Sequence, residues 1–220
     1  MSPDTARTTL LQKALCYEGF IVEQDGDWGE QTASALKGYQ SRNTALSGGF
    51  VGKPLPSPSG FPKDSTAALN AFYGAPRKGY PHLTVIELPY QMVLAWDQNQ
   101  SVSKISCHKK VADSLLRILS DIESEFGRDG ILEHGLHLYG GCYNNRRMRG
   151  GSNWSRHVYG IAIDINLDEN GLRTPWDASK IGQPGFATMP LKAIEAFERH
   201  GWKSYARSWG KDAMHFQLTQ

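Results

Sequence analysis

Residues 155–166 constrain the fold of this chain most strongly, because they place a histidine and a carboxylate on either side of a glycine. Residues 161–166 alternate, so that three isoleucines share one face of a predicted strand and Asp164 lies on the other face with Ala162 and Asn166. A carboxylate in so apolar a strand is costly to bury unless it is paired, hydrogen-bonded or bound to a cation. The pattern therefore predicts a partner for Asp164.

His157 is the first candidate for that partner. It precedes Asp164 by seven residues, an odd separation that would put the two side chains on opposite faces of one continuous strand. Gly160 lies between them and offers a bend. With that bend, the imidazole and the carboxylate can converge.

A second alternating run, residues 212–218, supplies a third candidate ligand. Phe216 and Leu218 take its apolar face, which leaves His215 on the other face, where an adjacent strand could present it beside Asp164. Two histidines and one carboxylate, with a fourth position open to water, are the ligand set of a catalytic zinc. Asp212 is then a spare carboxylate in a turn, placed to act as a general base.

The whole chain is predicted to fold as two domains. Residues 1–74 indicate a small helical domain, with a short helix near Leu11 and Leu15, a turn at 25–29, a second helix at 32–40 and a third from Asp64. Residues 75–81 form a proline-bearing linker. Residues 82–220 predict an α+β catalytic domain: a small, mostly antiparallel sheet with flanking helices and the zinc site on its open face. Its predicted elements are strands at 85–88, 136–143, 161–166 and 216–218 and helices at 109–127 and 190–200.

Two motifs in the second domain resemble a known family. They are Ser-x-His-x-x-Gly-x-Ala-x-Asp at residues 155–164 and Asp-x-x-His-Phe at residues 212–216. The family comprises zinc peptidases that include D-alanyl-D-alanine carboxypeptidases and dipeptidases and the L-alanyl-D-glutamate peptidases of bacteriophage endolysins, and the likeness extends from about Pro81 to the end. The dipeptidase branch carries Glu where this chain has Asp212, which favours the phage endopeptidase branch.

The resemblance implies roles for residues of this chain. It implies that zinc is held by His157, Asp164 and His215, and that Asp212 is the general base. It also implies an arginine that contacts the substrate and the developing oxyanion. Arg146 matches that arginine best, and Arg147 and Arg149 are the alternatives. Further residues are expected at the substrate: Ser155, Tyr159 and Arg147, of which Ser155 and Tyr159 could equally be packing residues.

The N-terminal segment resembles the three-helix peptidoglycan-binding domain found on wall hydrolases. The likeness rests on the turn Asp25-Gly26-Asp27-Trp28-Gly29 and on the helical residues around it, and it is interrupted by an insertion at 48–62 that is rich in Gly, Pro and Ser. A helical stability cap is the alternative interpretation of this segment. If the segment is a wall-binding tether, deleting residues 1–74 is expected to preserve cleavage of soluble wall fragments.

Composition limits the partners. The 220 residues carry a net charge of +2, so no nucleic-acid partner is expected. A local arginine cluster could attract an anionic substrate or simply form a solvated loop; it comprises Arg146, Arg147, Arg149 and Arg156. Three widely spaced cysteines predict no disulfide framework. The N-terminus has no signal-peptide pattern, so we expect synthesis in the cytoplasm of a host bacterium, action on the cell wall after release, no stable membrane association and a monomer.

These observations favour a zinc-dependent peptidase whose partner is bacterial peptidoglycan. The favoured hypothesis is a phage endolysin that cleaves the bond between L-alanine and D-glutamate in the stem peptide. Two alternatives stay open at this point: a D,D-carboxypeptidase of the cell wall, and a non-catalytic wall-binding module with a structural zinc. His134 and His137 do not join the site in any of these hypotheses, because on a strand they would point to opposite faces.

Overall fold

A computed structural model of the chain describes residues 8, 12, 23, 25–35, 37, 60–77, 79–148 and 153–220. The chain divides into two compact units, Met1–Pro54 and Leu55–Gln220. Leu11 and Leu15 of the predicted first helix, most of the insertion at 48–62, and Arg149 lie outside the described residues, while residues 8 and 12 are helical. In the described part of the chain, no helix is both long and apolar enough to cross a membrane.

In the first unit, the predicted turn at 25–29 is organised by one buried glutamine. The side chain of Gln12 donates to Asp25 Oδ1 at 2.8 Å, to the Asp27 carbonyl at 2.9 Å and to Thr32 Oγ1 at 3.0 Å. Its Oε1 accepts from the backbone N–H of Gly26, whose φ of 79° is in the left-handed region that favours glycine. A helix follows from residue 30, two residues before the predicted start.

The second unit contains helices and strands in an α+β arrangement. Its helices are α1 (Thr66–Tyr73), α2 (Ala112–Glu133), α3 (Leu167–Asn170), α4 (Leu191–Arg199) and α5 (Tyr205–Trp209), with a 3₁₀ helix at Arg156–Tyr159. Its strands are β1 (Leu83–Leu94), β2 (Asp97–His108), β3 (Leu138–Gly141), β4 (Ala162–Ile165), β5 (Lys203–Ser204) and β6 (His215–Gln217). The α+β part of the predicted fold class is therefore confirmed.

Within the described part of the second unit, six strands form one sheet in the order β2-β1-β3-β4-β6-β5. The sheet is mixed, since β1 and β3 pair in parallel while the other neighbouring pairs are antiparallel. The expected mostly antiparallel sheet is thus correct only in part. The parallel strands are not consecutive in the chain: β2 reverses the direction of β1, and α2 then leads to β3, which again runs in the direction of β1.

The central strand and its neighbour are covered by apolar side chains. All four residues of β4 are buried, and Phe216 on β6 stacks on Phe197 of α4 with ring centroids 3.8 Å apart. The middle of α2 contributes Ile118, Leu119 and Ile122, each with no exposed surface. This packing anchors the strands that carry the candidate ligands.

Helix α1 belongs to the second unit, which differs from the predicted domain boundary at 74/75. Leu69 and Tyr73 are buried in the core of that unit. The Tyr73 hydroxyl donates to the Leu218 carbonyl at 2.8 Å, and the Tyr159 hydroxyl donates to Asn70 Oδ1 at 2.7 Å. The sequence places α1 next to the helical module, but Asn70 and Tyr73 find these hydrogen-bond partners more than 80 residues further along the chain.

Two elements are longer than the sequence indicated. The strand predicted at 85–88 is one arm of a hairpin of two twelve-residue strands, β1 and β2. The second arm escaped prediction because β2 is an edge strand with mostly exposed, polar residues in its first half. Helix α2 continues to Glu133 past Gly127, where φ is 59° and ψ is −178° and the helix is interrupted.

Gly160 makes the predicted bend, and it also lies against the backbone of β2. It ends the 3₁₀ helix with φ at 67°. A Cβ there would lie 2.8 Å from the backbone nitrogen of His108 and 3.0 Å from Leu83 Cδ2. Both the backbone conformation and the available space therefore require glycine.

We expect Gly160→Ala to lower the free energy of unfolding by more than the roughly 1–2 kcal/mol that a left-handed residue with a Cβ costs. The excess comes from the overlap with His108. Gly79→Ala is the matched control, because Gly79 has a φ of 66° and no atom within 4 Å of the added Cβ. Urea denaturation of both variants measures the two losses. Equal losses would show that the contact with β2 relaxes without cost.

Candidate metal centre

The antiparallel pairing of β4 and β6 sets the first two candidate ligands side by side. Asp164 and His215 are direct partners in the register of the two strands. His157 reaches the same point from the 3₁₀ helix, because Gly160 turns the chain between that helix and β4. In the structure, the side chains of His157, Asp164 and His215 therefore converge as predicted, across the glycine and across two adjacent strands.

The three side chains form a compact cluster of metal-binding atoms. One ligand atom from each of His157, Asp164 and His215 lies within 4.8 Å of the other two. Among the described residues this is the one such group of histidine, cysteine or carboxylate side chains. His157 Nε2 is 3.2 Å from Asp164 Oδ2, and His215 Nδ1 is 2.8 Å from Asp164 Oδ1. The arrangement fits the His, His and carboxylate set of catalytic zinc.

Each histidine has its other ring nitrogen held by an oxygen acceptor. His157 Nδ1 is 2.9 Å from the Cys142 carbonyl, and His215 Nε2 is 3.1 Å from Gln217 Oε1. An acceptor of this kind keeps the proton on the nitrogen that faces it and leaves the lone pair of the other nitrogen for a metal. Both rings thus direct their other nitrogen at Asp164, where it can bind a metal once it is deprotonated.

The electrostatics of the cluster favour a cation. Burial raises the pKa of Asp164, but the charges and hydrogen bonds of His157 and His215 more than offset this and hold that pKa well below its usual range. Burial lowers the pKa of His215, yet the hydrogen bond and charge of Asp164 raise it overall. The carboxylate is therefore ionised and surrounded by groups that supply or accommodate positive charge, as a metal ligand must be.

Asp212 lies beside this cluster but is bonded differently. Its carbonyl accepts from the backbone N–H of His215 at 3.0 Å, and its φ of 57° is in the left-handed region. Its side-chain Oδ1 is buried and has no hydrogen-bond partner among the described residues. Burial, and after it the charge of Asp164, raise the pKa of Asp212 against the opposing influence of His215. A buried carboxylate oxygen without a partner calls for an explanation, and action on a bound reactant is one that fits its position beside the cluster.

The residues expected at the substrate lie in different environments. Arg146 is half-buried, and its guanidinium donates to the Arg147 carbonyl at 3.3 Å. The Arg147 guanidinium lies over the Trp154 ring, 4.2 Å from its centroid. The segment is tied to the site through a bond from the Asn144 N–H to the His157 carbonyl. Both arginines thus contact residues of their own loop, in the segment that precedes His157.

Tyr159 does not line a groove. Its side chain has no exposed surface and its hydroxyl is bonded to Asn70, so we assign it to packing instead of substrate binding. Ser155 is also buried, at the start of the 3₁₀ helix. Its carbonyl accepts from the Val158 N–H at 3.1 Å, and its hydroxyl makes no capping bond to that helix.

Three groups that support the ligands were missed by sequence reasoning. They are the Cys142 carbonyl, the Gln217 side chain and Asp64, whose carboxylate accepts from Gln217 Nε2 at 3.1 Å. Only Gln217 carried a signal, since it shares a strand face with His215 at a spacing of two. A backbone carbonyl has no signature in the sequence, and Asp64 lies more than 150 residues from Gln217.

His134 and His137 are not part of the centre. The His134 ring packs against Phe126 with centroids 5.5 Å apart, and its carbonyl accepts from Asn166 Nδ2. His137 Nδ1 is 3.4 Å from the Ile131 carbonyl. Both lie in the turn before β3, so their predicted structural role agrees with these contacts.

Comparison with known proteins points to the same segment. A family model described as D-alanyl-D-alanine carboxypeptidase matches residues 149–218, which are 70 of the 220 residues. The match supports a metallopeptidase-type hydrolase. The matched segment contains His157, Asp164, Asp212 and His215, whereas Arg146 and Arg147 precede it. No curated protein and no solved structure matches the chain.

Proposed function

We propose that this protein is a zinc-dependent peptidoglycan peptidase that cleaves the stem peptide between L-alanine and D-glutamate and acts as a phage endolysin. The observation that carries the proposal is the cluster of His157, Asp164 and His215 with the unpartnered Oδ1 of Asp212 beside it. A structural metal needs ligands but no spare buried carboxylate. The family match supports the class of substrate.

The chemistry follows from the positions of the side chains. When bound by His157, Asp164 and His215, zinc supplies a Lewis acid that polarises a carbonyl and lowers the pKa of water toward ~7. In the proposed reaction Asp212 Oδ1 accepts the proton of the attacking water and returns it to the amine that leaves. Arg146 carries the positive charge that best matches the family's substrate arginine, and it stabilises the oxyanion that develops on the scissile carbonyl.

A D,D-carboxypeptidase is the second candidate, and the description of the matching family favours it. That reaction uses the same metal and base but requires a cationic group for the free terminal carboxylate of the substrate. Arg147 is exposed at the edge of the same loop and is the candidate for this contact. The two activities therefore differ in the product and not in the metal centre.

The first unit has a separate role in this proposal. It binds the bacterial wall and raises the concentration of the peptidase at its substrate. The protein acts as a monomer on the wall after release from the host cytoplasm, without a nucleic-acid or membrane partner.

Mass spectrometry of digested peptidoglycan tests the activity. We expect new glutamate N-termini in the digest, and their loss when a chelator removes the metal. Readdition of zinc should restore the cleavage. Released D-alanine would instead establish the carboxypeptidase, and an undigested wall in the presence of zinc would contradict both peptidase hypotheses.

A further inference from the structure

We infer that Asp64 is a positioning residue of the metal centre, acting through Gln217 on the ligand His215. The inference rests on the proposed metal site and adds to it a residue from the segment before α1, far from both family motifs in the sequence. It concerns the orientation and proton of one ligand and does not depend on which wall bond is cleaved.

The Gln217 side chain uses its full hydrogen-bonding capacity. Its Oε1 accepts from His215 Nε2 at 3.1 Å and from the Tyr205 hydroxyl at 3.0 Å. Its Nε2 donates to Asp64 Oδ2 at 3.1 Å and to Thr219 Oγ1 at 2.7 Å. Gln217 has no exposed surface, so water does not compete for these bonds. An amide with two acceptor and two donor positions filled has one orientation.

Asp64 decides which orientation that is. A carboxylate can only accept, so the NH₂ end of Gln217 must face Asp64 and the carbonyl end must face His215. His215 must then carry its proton on Nε2, which leaves the lone pair of Nδ1 directed at Asp164 and the metal position. If the amide were reversed, its NH₂ group would face Nε2 and favour the opposite tautomer, which cannot bind a metal through Nδ1.

Asp64 is itself held in place. Arg156 Nε donates to Asp64 Oδ1, and the Arg156 guanidinium also donates to the Trp154 carbonyl at 3.0 Å. Arg156 directly precedes the ligand His157 in the 3₁₀ helix. The chain of contacts from Arg156 through Asp64 and Gln217 therefore links the elements that carry the two histidine ligands.

The test reverses the hydrogen bond between Asp64 and Gln217 in the full-length protein. Asp64→Asn removes the group that orients the amide, and Gln217→Glu places a second carboxylate against Asp64. In the double variant, the amide introduced at position 64 can donate to the carboxylate introduced at position 217, which still accepts from His215. Asp177→Asn is the matched control, because Asp177 is a surface carboxylate bonded to Ser179 and Lys180.

Zinc affinity is measured by competition with a chromogenic chelator, and thermal unfolding of the metal-free protein is measured in parallel. We expect each single variant to bind zinc about 10-fold to 100-fold more weakly, the range typical of residues that orient a metal ligand. The double variant is expected to recover most of that loss, and the control to bind as the unaltered protein does. The visible spectrum of the cobalt(II) form should change in the single variants and return toward that of the unaltered protein in the double variant.

Three results would overturn the inference: single variants with unaltered zinc affinity, single variants that lower only the thermal midpoint of the metal-free protein, or a double variant in which the two losses add. Failure of the proposed function gives a different result. A protein that binds zinc, follows the expected pattern of affinities and leaves peptidoglycan intact would retain the role of Asp64 and lose the peptidase hypothesis.

Discussion

Asp212→Asn is expected to keep full zinc content while its turnover of wall peptides falls about 10²-fold to 10⁴-fold, the usual contribution of a general base. The substitution removes the proton acceptor but preserves the size of the side chain. Asparagine also tolerates the left-handed backbone found at this position, where φ is 57°. Since Oδ1 has no hydrogen-bond partner to lose among the described residues, the free energy of unfolding should hardly fall.

Asp164→Asn is the matched variant, and the opposite result is expected for it. Asp164 is bonded to both histidine ligands and carries the only negative charge in the ligand set. We expect its zinc affinity to fall more than about 100-fold, beyond the range typical of residues outside the ligand set. Zinc at a concentration that stabilises the unaltered protein by about 2.7 kcal/mol, roughly 100 times its Kd, should then raise the thermal midpoint of this variant very little.

Metal analysis and turnover on soluble wall fragments measure both variants. A zinc-free Asp212→Asn protein together with a zinc-loaded Asp164→Asn protein would show that Asp212 is the metal ligand and Asp164 is not. Loss of zinc from both would make Asp212 a fourth ligand, and no residue of the cluster would then remain as the base.

Removal of residues 1–54 and removal of residues 1–74 are expected to have very different effects. The first deletion ends where the second compact unit begins, so cleavage of soluble wall fragments should be preserved. If the first unit binds the wall, activity on intact walls should fall. The longer deletion also removes Phe61, Leu69 and Tyr73 from the core and Asp64 from the metal centre.

The longer deletion should prevent folding. Each large apolar side chain lost from a core costs roughly 1.5–3 kcal/mol, so three of them approach the whole stability of a typical domain, about 5–15 kcal/mol. Circular dichroism and zinc content distinguish the two truncated proteins. A folded, active protein without residues 1–74 would show that α1 is dispensable, as the sequence-based domain boundary implied.

The cluster of three candidate metal ligands could be predicted from local patterns, because strand periodicity and one glycine decide where these side chains point. Alternation in residues 161–166 and 212–218 put Asp164 and His215 on corresponding faces, and Gly160 allowed His157 to join them. Each of these inferences needs only a few neighbouring residues. The pairing of β4 with β6 then completes the cluster.

The environment of that cluster could not be predicted in the same way. Gln217 donates to Asp64, which lies 153 residues earlier in the chain, and His157 is hydrogen-bonded to the backbone carbonyl of Cys142. The Tyr159 hydroxyl donates to Asn70 on α1, a helix that the sequence assigned to the other domain. Such contacts depend on which surfaces meet when the chain packs, and the alternation of residues along a strand carries no information about that. The sequence by itself determined the three candidate ligands and the strands that carry two of them. The tertiary structure decided which residues orient those side chains and where the second unit begins, because burial joins residues that the sequence separates.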